Sequence, residues 1–119
     1  MKYIQAFKFA VKGLRDSFIS ERNFSVHLIM ALIATIVGGL LKLNLNEWLW
    51  ILLSITLVIA AELFNTALES LTNLVSPEYH VLARKAKDAA AAAVLVIAIF
   101  SLICGGMIFI PKIIGLIKN

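Results

Sequence analysis

The sequence predicts an all-α integral membrane protein with three transmembrane helices and an N-terminal amphipathic helix on the membrane surface. Hydrophobic residues make up 61% of the 119-residue chain, whereas soluble domains contain roughly 45–50% apolar residues. Three long apolar segments follow an amphipathic N-terminal stretch, and basic residues flank these segments, as is usual in membrane proteins. This arrangement favours a membrane, and not nucleic acid, as the partner of the basic residues. The length predicts a single domain over residues 1–119.

Residues 2–20 have the pattern of a helix that lies along the membrane surface. Apolar side chains recur at helical spacing, and three basic side chains form a polar face. The segment lacks an apolar run of about 18 residues, so it is not expected to span a bilayer. A helix packed on a partner protein is the alternative. The apolar positions are Ile4, Phe7, Val11, Leu14 and Phe18, and the basic ones are Lys8, Lys12 and Arg15.

The three transmembrane helices are expected at about residues 24–41, 48–74 and 87–110. The first segment has 18 residues without a formal charge, which is near the minimum length for a spanning helix. Trp48 marks a membrane interface at the start of the second helix. Pro111 is expected to end the third helix, because proline removes a helical hydrogen bond.

The distribution of basic residues predicts the orientation. Eight basic residues lie on the membrane side that holds the N-terminus and the second loop, which connects the second and third spans. Three basic residues lie on the other side. Cytoplasmic segments carry the excess of Lys and Arg, so we expect the N-terminus inside and the C-terminus outside. The eight are Lys2, Lys8, Lys12, Arg15, Arg22, Arg84, Lys85 and Lys87, and the three are Lys42, Lys112 and Lys118.

Three polar residues line one stripe of the second transmembrane helix. Glu62, Asn65 and Glu69 follow the spacing i, i+3 and i+7. Counting from Trp48 at about 1.5 Å per residue puts Glu62 roughly 21 Å into the membrane. A carboxylate at that depth costs on the order of 2.5–3.5 kcal/mol on insertion scales, so it indicates a functional site. The alternative is a structural acid paired with a basic residue to specify assembly.

Ionisable residues of the other segments fall at the same membrane level. Glu21 lies just before the first span, and Lys87 and Asp88 lie near the start of the third. Carboxylates, an amide and an ammonium group suit Mg²⁺ and a phosphate, and a deeper acid would accept a proton from a hydroxyl. Taken singly, each of these residues is typical of an interface anchor. No G-x-x-x-x-G-K-[ST] loop occurs, so a nucleotide would need another kind of site.

Four segments of the chain carry a specific pattern. They are Glu21-Arg22-Asn23-Phe24, Ala61-Glu62-Leu63-Phe64-Asn65-Thr66-Ala67-Leu68-Glu69, Glu78-Tyr79-His80 and Ala86-Lys87-Asp88-Ala89-Ala90. These segments resemble the bacterial membrane diacylglycerol kinase family, and the likeness covers essentially the whole chain. The resemblance implies a homotrimer in the bacterial cytoplasmic membrane, with composite active sites between subunits. It also implies ATP as phosphoryl donor, Mg²⁺ as cofactor and a lipid alcohol as substrate.

By matching position, the resemblance also implies a role for each candidate residue. Glu62 resembles the catalytic base that acts on the lipid hydroxyl, with Asn65 beside it at the substrate. Glu21 and Glu69 resemble the residues that bind the metal ion and the nucleotide phosphates. His27 is expected to make a packing or polar interhelical contact and to take no part in chemistry. The further nucleotide contacts that the resemblance implies are Lys87, Asp88, Glu78 and His80.

Within that family, the chain resembles the Gram-positive branch, whose members phosphorylate undecaprenol. His27 follows the Glu-Arg-Asn-Phe stretch, and a run of alanines at 89–93 opens the last span. Position 73 is Asn, where the proteobacterial branch typically has Asp. The resemblance therefore implies an undecaprenol kinase, with a diacylglycerol kinase of the same mechanism as the alternative.

A non-catalytic membrane subunit or a protein with an ion site is the alternative from a different class. Such a protein would use the acidic stripe of Glu62 and Glu69. It has no use for Glu21, Lys87 and Asp88 together. Replacement of Lys87 would spare such a function and abolish a kinase.

Overall fold

The computed structural model describes residues 1–118 as four helices. They are α1 (Lys2–Ser20), α2 (Arg22–Leu40), α3 (Leu45–Val75) and α4 (Val81–Lys118). Of these, α2, α3 and α4 are long and apolar enough to cross a membrane. The predicted all-α fold with three such helices is confirmed, and the protein is a multi-pass membrane protein.

A single residue separates α1 from α2. Glu21 has φ −109° and ψ 109°, an extended conformation that interrupts the helix. The Glu21 amide donates to the Ser17 carbonyl oxygen at 2.9 Å, and the Ser25 hydroxyl donates to the Phe18 carbonyl oxygen at 2.6 Å. These bonds satisfy carbonyl groups that the end of α1 would otherwise leave free. Glu21 therefore lies at a well-defined corner between the N-terminal helix and the first apolar helix.

Two helix caps join α2 to α3 through a short turn. At the end of α2 the Leu43 amide donates to the Gly38 carbonyl oxygen at 3.2 Å, and Lys42 takes the left-handed conformation with φ 56°. This arrangement is a Schellman ending. At the start of α3 the Glu47 amide donates to Asn44 Oδ1 at 2.9 Å, and the Asn44 amide donates to Glu47 Oε1 at 3.0 Å. This capping box helps to define where α3 begins.

The central helix is α3, which packs most extensively against α4 and less against α2 and α1. Its buried positions form one stripe, at Ile51, Ser54, Val58 and Glu62. On the facing helix, the Ser101 hydroxyl donates to the Ser54 carbonyl oxygen at 3.4 Å. The buried stripe therefore ends in the acid Glu62, whereas the turns before it hold apolar or small side chains.

The prediction that Pro111 ends the last helix is wrong, because α4 continues through Pro111 to Lys118. Proline lacks the N–H that would bond to the Met107 carbonyl oxygen. Membrane helices tolerate this loss where neighbouring groups or small local adjustments satisfy the freed carbonyl. Lys112 Nζ lies 3.2 Å from Glu47 Oε1 on α3, so the turn that follows the proline is bound to the neighbouring helix.

The last helix also extends beyond its predicted span at its N-terminal end. α4 begins at Val81, whereas the span was expected from about residue 87. Its 38 residues correspond to about 57 Å of helix at 1.5 Å per residue. That length exceeds the roughly 30 Å of a bilayer's hydrocarbon core, so the charged first turns of α4 can project beyond the apolar region.

Candidate functional site

Glu62, the predicted catalytic base, is buried within the single chain. It is 5% exposed, and its Oε1 lies 3.0 Å from Nε2 of His27 on α2. The polar interhelical contact expected of His27 is therefore confirmed, and its partner is the acid at the centre of the candidate site. A buried carboxylate needs hydrogen-bond partners to offset its lost hydration, and His27 supplies one.

Asn65 and Glu69 lie on the following turns of α3. Asn65 Nδ2 donates to Glu69 Oε1 at 3.4 Å, so the amide is bound to the next acid of the stripe that also holds Glu62. Asn65 Oδ1 is buried and has no hydrogen-bond partner within residues 1–118. Buried polar oxygens nearly always have a partner in folded proteins. This oxygen is therefore a candidate to bind a ligand next to the Glu69 carboxylate.

The predicted metal ligands Glu21 and Glu69 come from different parts of the fold. Glu21 is half-buried at the corner between α1 and α2, and Glu69 is half-buried on α3. Among residues 1–118, no group of three or more His, Cys, Asp or Glu side chains could hold a metal ion. A single chain thus offers separate oxygen ligands but no complete protein cage for a cation.

A pocket of about 100 Å³ lies where α3 ends and α4 begins. Three of the predicted nucleotide-binding residues, Glu78, His80 and Lys87, line it together. Asn73 and Arg84 line the same pocket, although Arg84 had no predicted role. Sites for drug-sized ligands measure roughly 300–1,000 Å³, so this pocket can hold only part of a nucleotide.

His80 also forms part of the start of α4. Its Nδ1 accepts a hydrogen bond from the Leu82 amide at 3.0 Å, which satisfies one of the free N–H groups at the helix start. Because Nδ1 is the acceptor, the neutral ring carries its proton on Nε2. The Nε2–H group is then left to donate to a ligand in the pocket.

Asp88 is bound to Arg84 in the first turns of α4. Arg84 Nη2 and Nε lie 2.8 Å and 3.0 Å from Asp88 Oδ1. More than half of each side chain is exposed, so the pair stabilises the helix by at most about 0.2–0.5 kcal/mol. Asp88 is thus bound to a residue that lines the pocket, although Asp88 itself does not line it. The i, i+4 spacing of the two residues is the sequence signal that could have identified Arg84.

Comparisons with known proteins give matches over most of the chain. The family model described as prokaryotic diacylglycerol kinase matches residues 8–109. All candidate site residues, from Glu21 to Asp88, lie within that range. The undecaprenol kinase of Bacillus subtilis is 40% identical over 112 residues, which cover 94% of this chain and 91% of that protein.

Two other similar proteins are diacylglycerol kinases. That of a Synechocystis species is 38% identical over 112 residues, which cover 93% of this chain but only 64% of the relative. That of Escherichia coli is 31% identical over 102 residues, which cover 86% of this chain and 84% of the relative. The similarity thus extends across relatives that carry two different substrate names.

Proposed function

The chain belongs to the prokaryotic diacylglycerol kinase family, and we propose that it phosphorylates undecaprenol with ATP at the cytoplasmic face of the bacterial membrane. Family membership makes the protein a lipid kinase, as predicted. The observation that carries the choice of undecaprenol is the similarity to the Bacillus subtilis undecaprenol kinase along nearly the whole of both chains. The alternative is phosphorylation of diacylglycerol. It is supported by the similarity to the two relatives that are named diacylglycerol kinases.

Glu62 is the proposed catalytic base. It takes the proton of the lipid hydroxyl while the alcohol oxygen bonds to the γ-phosphorus of ATP. The bond from that phosphorus to the bridging oxygen breaks, and ADP leaves with the electron pair. The burial of Glu62 supports this role, because it keeps water away from the acceptor position and so limits hydrolysis of ATP.

Mg²⁺ is the proposed cofactor, with Glu21 and Glu69 as its protein ligands. The donor set fits, since Mg²⁺ prefers oxygen ligands and the unpartnered Asn65 Oδ1 belongs to the residue that is bonded to Glu69. Mg²⁺ usually keeps several waters and substrate phosphates as ligands, so a site with few protein ligands in one chain is compatible with it. When bound, the ion would offset negative charge on the ATP phosphates.

The pocket at the start of α4 is the proposed site for part of the nucleotide. Lys87 supplies positive charge for the phosphates, and His80 supplies the Nε2–H donor. Glu78 lines the same pocket and is proposed to contact the nucleoside. Asp88 is proposed to contribute through Arg84, to which it is bound at 2.8 Å and which lines the same pocket as Lys87.

We further propose that residues 1–119 form one kinase domain that assembles as a homotrimer. The N-terminus would lie in the cytoplasm, with α1 along the membrane surface. The proposal of a trimer with shared sites rests on the family to which the chain belongs. The excess of Lys and Arg at the N-terminus and around the second loop supports the orientation.

The substrate proposal is tested by lipid competition. Purified protein in detergent micelles is given ATP with undecaprenol or diacylglycerol, first separately and then together, and initial rates of phosphoryl transfer are measured. We expect kcat/KM to be higher for undecaprenol. A higher kcat/KM for diacylglycerol would overturn the choice of lipid but keep the mechanism. Apolar contacts distinguish one lipid chain from another only weakly. The competition experiment, with both lipids present, is therefore more informative than the rate with either lipid alone.

Replacing Lys87 with Ala is expected to raise the KM for ATP by about 10–100-fold, and so to abolish transfer at ATP concentrations far below the new KM, because a charged contact to phosphate is lost. The measurement is the ATP dependence of the initial rate with saturating lipid. Lys85→Ala is the matched control, since Lys85 lies in the same turns of α4 but does not line the pocket. Equal KM values for the two variants would contradict the placement of the phosphates at Lys87.

A further inference from the structure

The contact between His27 and Glu62 links two transmembrane helices inside the candidate site. Nε2 of His27 lies 3.0 Å from Glu62 Oε1, and the side chains are 27% and 7% exposed. No other ion pair of Glu62 is found among residues 1–118. The imidazole is therefore the one ionisable partner that the described chain offers to the proposed catalytic base.

We propose that His27 is a positioning residue for phosphoryl transfer, which orients the Glu62 carboxylate toward the lipid hydroxyl. The inference rests on the proposed function, because it assigns a purpose to the contact only if Glu62 is the base. It goes beyond the structural contact that the sequence predicted for this histidine.

The chemistry of the two groups supports this role. With its proton on Nε2, the neutral imidazole donates a hydrogen bond to Oε1 of the ionised carboxylate. One oxygen of Glu62 is then occupied, and the other, Oε2, is left as the acceptor for the alcohol proton. Holding the carboxylate in one orientation removes unproductive geometries before the reaction begins.

The imidazole lies on the buried face of α2. Phe24 lies one turn before His27 on α2 and is the most deeply buried large side chain of the described residues, at 1% exposure. Residues three apart share one face of a helix, so His27 lies on the same side of α2 as the buried Phe24 ring. α2 starts at Arg22, directly after the bend at Glu21, so Phe24 lies in the first turn of the helix.

In the step itself, the lipid O–H bond breaks and its proton moves to Oε2 of Glu62. The alcohol oxygen bonds to the γ-phosphorus, the bond to the bridging oxygen breaks, and ADP takes the electron pair. His27 keeps its own proton throughout and does not touch the lipid or ATP. Its loss should therefore slow the chemical step and leave the binding of both substrates unchanged.

The test compares three replacements of His27 in the full-length protein. His27→Phe keeps a planar ring without a donor, His27→Gln keeps an amide donor at a similar reach, and His27→Asn has a donor that is too short. Steady-state kcat, the KM for ATP and lipid, and the melting temperature are measured in micelles. Thr35→Val is the control on α2, because the Thr35 hydroxyl bonds only to the Ala31 carbonyl of its own helix, at 2.8 Å.

We expect His27→Phe to lower kcat by about 10–100-fold with both KM values unchanged, which corresponds to loss of a hydrogen bond to a charged group. His27→Gln should recover most of the rate, and Thr35→Val should match the wild type. The double variant His27→Phe with Glu62→Gln should be no slower than Glu62→Gln alone, since the two residues act as a unit.

Wild-type kcat in His27→Phe, or equal losses in the Gln and Asn variants, would overturn the inference. If His27→Phe does not assemble, the inference is tested by comparing His27→Gln with His27→Asn. It requires the Gln variant to have the higher kcat. Failure of the proposed function gives a different result, because the wild-type protein itself would then transfer no phosphate to either lipid.

Discussion

Replacing Glu62 with Gln is expected to lower kcat by roughly 10²–10⁴-fold, the usual contribution of a general base. The amide has nearly the same shape as the carboxylate and keeps an oxygen that can accept from His27 Nε2. The variant should therefore fold and assemble while it lacks a group that can take the alcohol proton. The measurement is the initial rate of ATP-dependent lipid phosphorylation, alongside the melting temperature.

Glu47→Gln is the matched control for this prediction. Glu47 lies in the first turn of the same helix, where it caps α3 and pairs with Lys112. Its replacement should weaken a structural contact and leave kcat at the wild-type value. A near-wild-type rate in the Glu62 variant would refute its assignment as base. It would favour the structural alternative, in which the buried acid serves only to bind His27 and fix helix packing.

Replacing Glu69 with Gln is expected to reduce turnover by at least about 100-fold at moderate Mg²⁺ concentration. A carboxylate is a far better ligand for Mg²⁺ than an amide oxygen, so the variant should bind the ion and the metal–nucleotide complex poorly. The diagnostic measurement is the rate as a function of Mg²⁺ concentration. We expect the curve to shift to higher concentrations, with partial recovery at high Mg²⁺.

Two controls make the Glu69 prediction specific. Ser70→Ala changes an exposed neighbour on α3 and should leave the Mg²⁺ dependence of the rate unaltered. Removal of Mg²⁺ from the wild-type protein with excess chelator should abolish transfer. Unchanged turnover in chelator would exclude the metal, and a Glu69→Gln variant with reduced rate but an unshifted Mg²⁺ curve would remove Glu69 from the ligands.

Most of the fold could be predicted from local sequence properties. The N-terminal helix was expected at residues 2–20, and α1 spans Lys2–Ser20, because helical periodicity is a local signal. The error at Pro111 has a physical cause. Proline ends helices in water because the freed carbonyl and the steric clash are costly, but in a membrane the helix remains the best way to satisfy the backbone.

The candidate site could be predicted only in part. Glu78, His80 and Lys87 line one pocket, as their proximity in the loop and in the first turns of α4 suggests. The pairing of Arg84 with Asp88 is also local, since the residues are four apart on one helix. Asn65 and Glu69 are hydrogen-bonded, as their predicted positions on one stripe of α3 allow, but which neighbour the amide bonds to depends on side-chain rotamers and not on helix spacing alone.

The sequence by itself determined that this is a membrane protein with three helices that are long and apolar enough to cross the bilayer, and that the acids Glu62 and Glu69 share one stripe of the middle one. These properties follow from composition, segment length and helical period, all of which can be read along the chain. Only the tertiary structure decided that His27 meets Glu62 at 3.0 Å. That contact depends on how α2 is rotated against α3, and the rotation follows from the packing of the two helices, which cannot be read along the chain.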